Sequence, residues 1–63
     1  MPVVTIELWE GRTPEQKREL VRAVSSAISR VLGCPEEAVH VILHEVPKAN
    51  WGIGGRLASE LSA

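Results

Sequence analysis

The chain has 63 residues, room for one small domain (1–63) and no second. Seven basic and eight acidic residues give a net charge of -1, and the basic ones are dispersed, which excludes the phosphate-neutralising face that nucleic-acid binding needs. One cysteine excludes an internal disulfide and, with two histidines, falls short of a four-ligand zinc site, so a chain that buries only about 60% of its unfolded surface is expected to gain stability from partner subunits.

Residues 3–9, Val-Val-Thr-Ile-Glu-Leu-Trp, are β-branched and apolar, broken by Thr5 and Glu7. They read as a strand, with Val4, Ile6 and Leu8 on one face and Val3, Thr5, Glu7 and Trp9 on the other. Glu10-Gly11-Arg12 breaks that pattern. A helix start follows: Thr13 suits the N-cap, Pro14 the first helical position, and Gln16 completes a capping-box spacing. Leu20, Val21, Val24, Ala27, Ile28 and Val31 then recur at helical spacing as one apolar stripe. Lys17, Arg18, Arg22, Ser25, Ser26 and Ser29 fall largely on the other side. Glu15–Arg18 and Glu19–Arg22 are opposite-charge pairs on that solvated side. Gly33 and Pro35 stop the helix, and Cys34 between them reads as a turn residue.

Residues 39–46, Val-His-Val-Ile-Leu-His-Glu-Val, read as a second strand. Strand–helix–strand order predicts an α+β fold built on a βαβ unit with parallel strands and a right-handed crossover. Gly52-Ile53-Gly54-Gly55 predicts a short C-terminal hairpin or tight turn, and no Gly-Lys-Ser/Thr phosphate loop is present. Two strands and one helix leave sheet edges and a helix side uncovered, which points again to further copies of the chain. The longest apolar run, Val41 to Leu43, is far below the ~18 residues of a membrane span. The first residues lack the basic and apolar segments of a signal peptide. With a lone thiol, this predicts a cytoplasmic protein.

The inventory for chemistry is thin. All eight acidic residues are glutamates. No motif couples a serine or Cys34 to His40 or His44. On a strand the two histidines share a face about 13 Å apart, so no metal site is expected. Pro2 is the unusual candidate. Were Met1 removed, its nitrogen would be a secondary amine, and apolar surroundings and a nearby cation would bring its pKa toward neutrality. Val3, Ile6 and Trp51 are candidate walls, and Arg12 is the candidate cation.

The whole chain resembles the 4-oxalocrotonate tautomerase family of the tautomerase superfamily. The resemblance rests on Met1-Pro2 before the first strand, Glu10-Gly11-Arg12-Thr13, Glu15-Gln16-Lys17, Ala27-Ile28-Ser29-Arg30, Trp51-Gly52-Ile53-Gly54-Gly55 and Leu57-Ala58-Ser59. It implies a hexamer, a trimer of dimers, and no cofactor. It further implies that Pro2 is the catalytic base, moving a proton in an enol or dienol acid to give the conjugated keto acid. Arg12 would grip the distal carboxylate of a neighbouring subunit's substrate. Trp51 would stand for the family's pocket aromatic, usually Phe.

One position departs from the pattern. His40 stands where the family has a second arginine, and imidazole lacks the guanidinium fork. Three readings stay open: His40 as a weaker electrophile near the substrate oxygen, a different substrate, or an arginine from another type of subunit. Related dehalogenases carry an arginine where this chain has Trp9 and a glutamate near Ile53, so the resemblance argues against that activity. Two functions are therefore expected as competitors. One is a tautomerase acting on 2-hydroxydienoate-type acids as a homo-oligomer, with Pro2 and Arg12 catalytic and His40 and Trp51 binding substrate. The other is a non-catalytic or half-site subunit of a mixed hexamer.

Overall fold

In the computed structural model, which describes residues 1–61, the elements follow the order strand, helix, strand, hairpin. β1 (Val3–Trp9) leads to α1 (Pro14–Leu32), then β2 (His40–Val46). β1 and β2 run parallel, from Val3 opposite His40 to Trp9 opposite Val46. A two-residue hairpin joins β3 (Gly52–Ile53) and β4 (Arg56–Leu57). Single 3-10 turns stand at Glu36–Ala38, Lys48–Asn50 and Ala58–Glu60. The predicted second strand loses only Val39, whose N–H closes the preceding turn on the Glu36 carbonyl at 3.0 Å.

The helix start forms as the spacing predicts. The Thr13 hydroxyl accepts from the Gln16 N–H at 3.1 Å, and the Gln16 side chain accepts from the Thr13 N–H at 3.0 Å. Two donors that the first helical turn leaves orphaned are thereby satisfied. At the other end Gly33 takes φ 73°, a left-handed conformation that costs a residue with a Cβ, and its N–H reaches the Ser29 carbonyl at 2.9 Å. The Ser29 hydroxyl donates to the Cys34 carbonyl and holds the chain in the turn.

The strand alternation predicted from the sequence is present. Val4, Ile6, Leu8, Val41 and Leu43 are half-buried against the helix, while Val3, Thr5, Glu7, His40, Ile42 and His44 are exposed. The covered side of the helix differs from the predicted stripe at its edges and its last turn. Lys17, Ser25, Ser26 and Ser29 are half-buried along with Leu20, Val21, Val24 and Ile28, and Ala27 and Val31 are exposed. Contact with β2 accounts for the coverage of Lys17. Lys17 Nζ reaches a Glu45 carboxylate oxygen at 2.6 Å, anchoring the first helical turn to the strand. Both Glu15–Arg18 and Glu19–Arg22 pair as predicted on the solvated side.

Among the described residues only Ala58 is fully buried, at 3% exposure. Val3, Val31, Leu32, Ile42, Ile53 and Leu57 remain largely exposed. One subunit's elements are thus well formed while its apolar faces are unfinished. No described helix is long and apolar enough to cross a membrane.

Candidate active site

The four predicted site residues fall into two groups at opposite ends of the strand pair. Pro2 lies just before β1, and its carbonyl accepts from the His40 N–H at 2.9 Å. The ladder therefore ties Pro2 and the first residue of β2 together. The Met1 amine donates to the Ala38 carbonyl at 2.9 Å, so the chain terminus is held at this end of the sheet. With Met1 attached, the Pro2 nitrogen is an amide and carries no basic lone pair. His40 is exposed, on the outer sheet face with Val3 and Ile42.

Arg12 and Trp51 belong to the far end. The ladder extends one residue past β1, where the Glu10 N–H donates to the Val46 carbonyl at 3.2 Å. Gly11 then turns the chain with φ 111°, a value that favours glycine, and delivers Arg12 to the mouth of α1. There Arg12 lines a concavity of about 250 Å³ with Leu8, Gln16, Lys17 and Leu20. The polar neighbours are already engaged: Gln16 in the helix cap and Lys17 with Glu45. Among the described residues Arg12 has no carboxylate within ion-pair distance. Its guanidinium is the charge in this concavity left open to an outside anion.

Trp51 is fixed by the C-terminal hairpin. Its N–H donates to the Lys48 carbonyl at 3.2 Å, and its carbonyl accepts from the Ala58 N–H at 2.7 Å. Its ring meets that of Trp9 edge to face, with centroids 5.9 Å apart and planes at 79°. Such a pair adds about 1 kcal/mol beyond its area burial. Trp9 ends β1, so the contact seats Trp51 at the same end as Arg12.

Six residue steps separate Val3 from Trp9, a span of about 20 Å. A single chain accordingly brings Pro2 near His40, and Trp51 near the β1 end that leads to Arg12, but does not bring the two groups together. Two further residues cluster with Trp51. The sequence puts Trp9 on a strand face and Lys48 in the last section, and in the structure Lys48 Nζ stands 4.7 Å from the Trp9 ring centroid. The sequence signal was slight: an aromatic at a strand end and a cation just before a second aromatic. His44 had no catalytic position to fill, and its Nδ1 lies 2.7 Å from a Glu7 carboxylate oxygen across the ladder, on the exposed face.

Known proteins resemble the chain over nearly its whole length. A family model described as "Tautomerase enzyme" matches residues 2–60. A 2-hydroxymuconate tautomerase of Pseudomonas putida is 51% identical over 61 residues, 97% of each chain. The crystal structure of a 4-oxalocrotonate tautomerase homologue superposes with a TM-score of 0.90 at 49% identity, covering 100% of both chains. A heterohexameric 4-oxalocrotonate tautomerase from Chloroflexus aurantiacus superposes with a TM-score of 0.92 at 40% identity, covering 98% of this chain and 100% of its own.

Proposed function

The chain belongs to the tautomerase family and is a tautomerase, and on that premise we propose that the Pro2 amine, freed by loss of Met1, is its general base. The substrate class is a 2-hydroxydienoate acid, as the similarity to 2-hydroxymuconate tautomerases suggests. Pro2 takes the proton that the dienol gives up and returns it at another carbon. The product is the conjugated keto acid, with no net change in atoms or electrons. A secondary amine suits this work when its surroundings bring its pKa near the working pH, so that it is free to accept a proton and then release it.

Arg12 binds the distal carboxylate in this reading. Trp51 supplies an apolar wall, which lowers the local dielectric and strengthens the contact to Arg12. His40 lies near the reacting oxygen in place of a guanidinium and assists there as a weaker donor. The observation that carries the proposal is the division of these groups between the two ends of one strand pair. A short dienoic acid cannot bridge about 20 Å, so a working site takes Pro2 from one copy and Arg12 with Trp51 from another. The unfinished apolar faces supply the reason for copies to associate, and the assembly we propose is a hexamer working in the cytoplasm.

The test is ketonisation of 2-hydroxymuconate and phenylenolpyruvate by a preparation whose intact mass shows that Met1 is gone. Turnover well above buffer is expected for at least one compound. No turnover of either by that preparation refutes the proposal. His40 favours a second reading, a half-site subunit in a mixed hexamer, for which the Chloroflexus heterohexamer is a precedent. That reading requires activity to appear only when an arginine-bearing partner subunit is added.

A further inference from the structure

At the Trp9 end of the sheet, two hydrogen-bond donors lack acceptors. The Trp9 indole N–H is enclosed and, among the described residues, has no hydrogen-bond partner, although enclosed donors are normally satisfied. Lys48 Nζ rests over the Trp9 ring at 4.7 Å, and among the described residues no carboxylate lies within ion-pair distance of it. An aromatic face is a weaker counterpart for an ammonium than a carboxylate is. Trp51 completes the cluster, edge-on to Trp9. The cluster therefore holds two aromatic rings, one cation, one unmet N–H and no anion.

We propose that Lys48, Trp9 and Trp51 form a second anion-recognition unit, which reads the distal carboxylate of a conjugated diacid together with Arg12. The ligand class follows from the groups: flat conjugated carbon against the rings, and a carboxylate for the Lys48 ammonium. The partnership with Arg12 follows from the chain path. Arg12 is three residues after Trp9, at most about 11 Å of extended chain, and it too lacks a carboxylate. Positive charges on two side chains at the same end of the strand pair favour a substrate with two carboxylates over one whose far end is neutral. Lys48 is a binding and specificity residue in this scheme and takes no part in the proton transfer. The inference rests on the tautomerase site proposed above.

The test compares the native chain with Lys48→Met and Lys48→Arg on two substrates. For 2-hydroxymuconate, a diacid, Lys48→Met is expected to raise KM about tenfold, the loss of one charge-assisted contact, with little change in kcat. Lys48→Arg is expected to restore most of it. For phenylenolpyruvate, whose far end is an uncharged ring, KM should stay within about twofold. Equal effects on both substrates would indicate a merely structural lysine and overturn the inference, as would no effect on either. Quenching of tryptophan fluorescence by muconate, a diacid without the reacting hydroxyl, reads the same contact without turnover. Weaker quenching in Lys48→Met supports the unit even in a preparation that turns over neither substrate. Unchanged quenching refutes it. The failure of the catalytic reading and the failure of this one are thereby told apart.

Discussion

Mixing two inactive variants should restore activity if the site is shared between copies. One variant keeps a residue ahead of Pro2, which makes its nitrogen an amide. The other is Arg12→Ala. Alone, each should lose about 100-fold or more, the scale for a general base or a charge-stabilising contact. The two groups lie at opposite ends of a parallel strand pair running from Val3 to Trp9, about 20 Å apart. In an assembly refolded from a one-to-one mixture, a site that draws Pro2 from one chain and Arg12 from another finds both intact with a chance of one half times one half, so about a quarter of native activity should return. The assay is ketonisation of 2-hydroxymuconate, followed by absorbance, on separate variants and on the co-refolded mixture at the same total concentration. A mixture no more active than the mean of its parents would refute the shared site. That is what a site contained in one chain would give, because neither variant carries both groups.

Further outcomes follow from local structure. Thr13→Ala removes the hydroxyl acceptor of the helix cap and should cost about 1 kcal/mol in denaturant unfolding at fixed chain concentration. Lys17→Met breaks the half-buried contact with Glu45 and should cost about 1 kcal/mol, read in the same way. The Arg22 guanidinium, first by its hydrogen bond and then by its charge, holds the Glu19 carboxyl below the ordinary glutamate range. A carboxyl depressed by folding stabilises the fold above its unfolded pKa and loses that contribution as pH falls through the folded one. A carbon-detected pH titration should accordingly find Glu19 titrating low in the native chain and nearer the ordinary range in Arg22→Ala. The pair's high exposure keeps its effect on stability small.

The regular elements were legible because local rules decide them. Alternation along residues 3–9 and the Thr13–Gln16 spacing each have a mechanism that acts within a few residues, and the strand, cap and stop all formed. The helix face was less legible. Val31 belongs to an apolar period yet is 70% exposed, while Lys17 turns inward. Lys17 meets a distant carboxylate, Glu45, that no helical period encodes, and Val31 lies on the same face but is left uncovered by a single subunit. In the candidate site, the resemblance proposes Pro2, Arg12, His40 and Trp51, but no local pattern encodes the Trp9–Lys48 contact. It depends on how the last loop folds back over the end of β1, a long-range event fixed by the Ala58-to-Trp51 hydrogen bond and the hairpin. The division of the site into two ends is likewise a matter of strand direction and register.

Ala58 alone is enclosed among the described residues, and this changes what a mutational survey of the chain would measure. In most domains, truncating an inward leucine reports on folding and altering a surface one reports on association. Here Leu43 and Val21 are only half-covered within one subunit, and Ile42 lies open. Replacing any of them by alanine therefore alters a contact surface and a partial interior in one stroke. Its effect should grow on dilution, since an assembly held together by such surfaces obeys mass action. For this chain the stability of a variant is a curve against concentration, and two variants ranked at one concentration can exchange order at another.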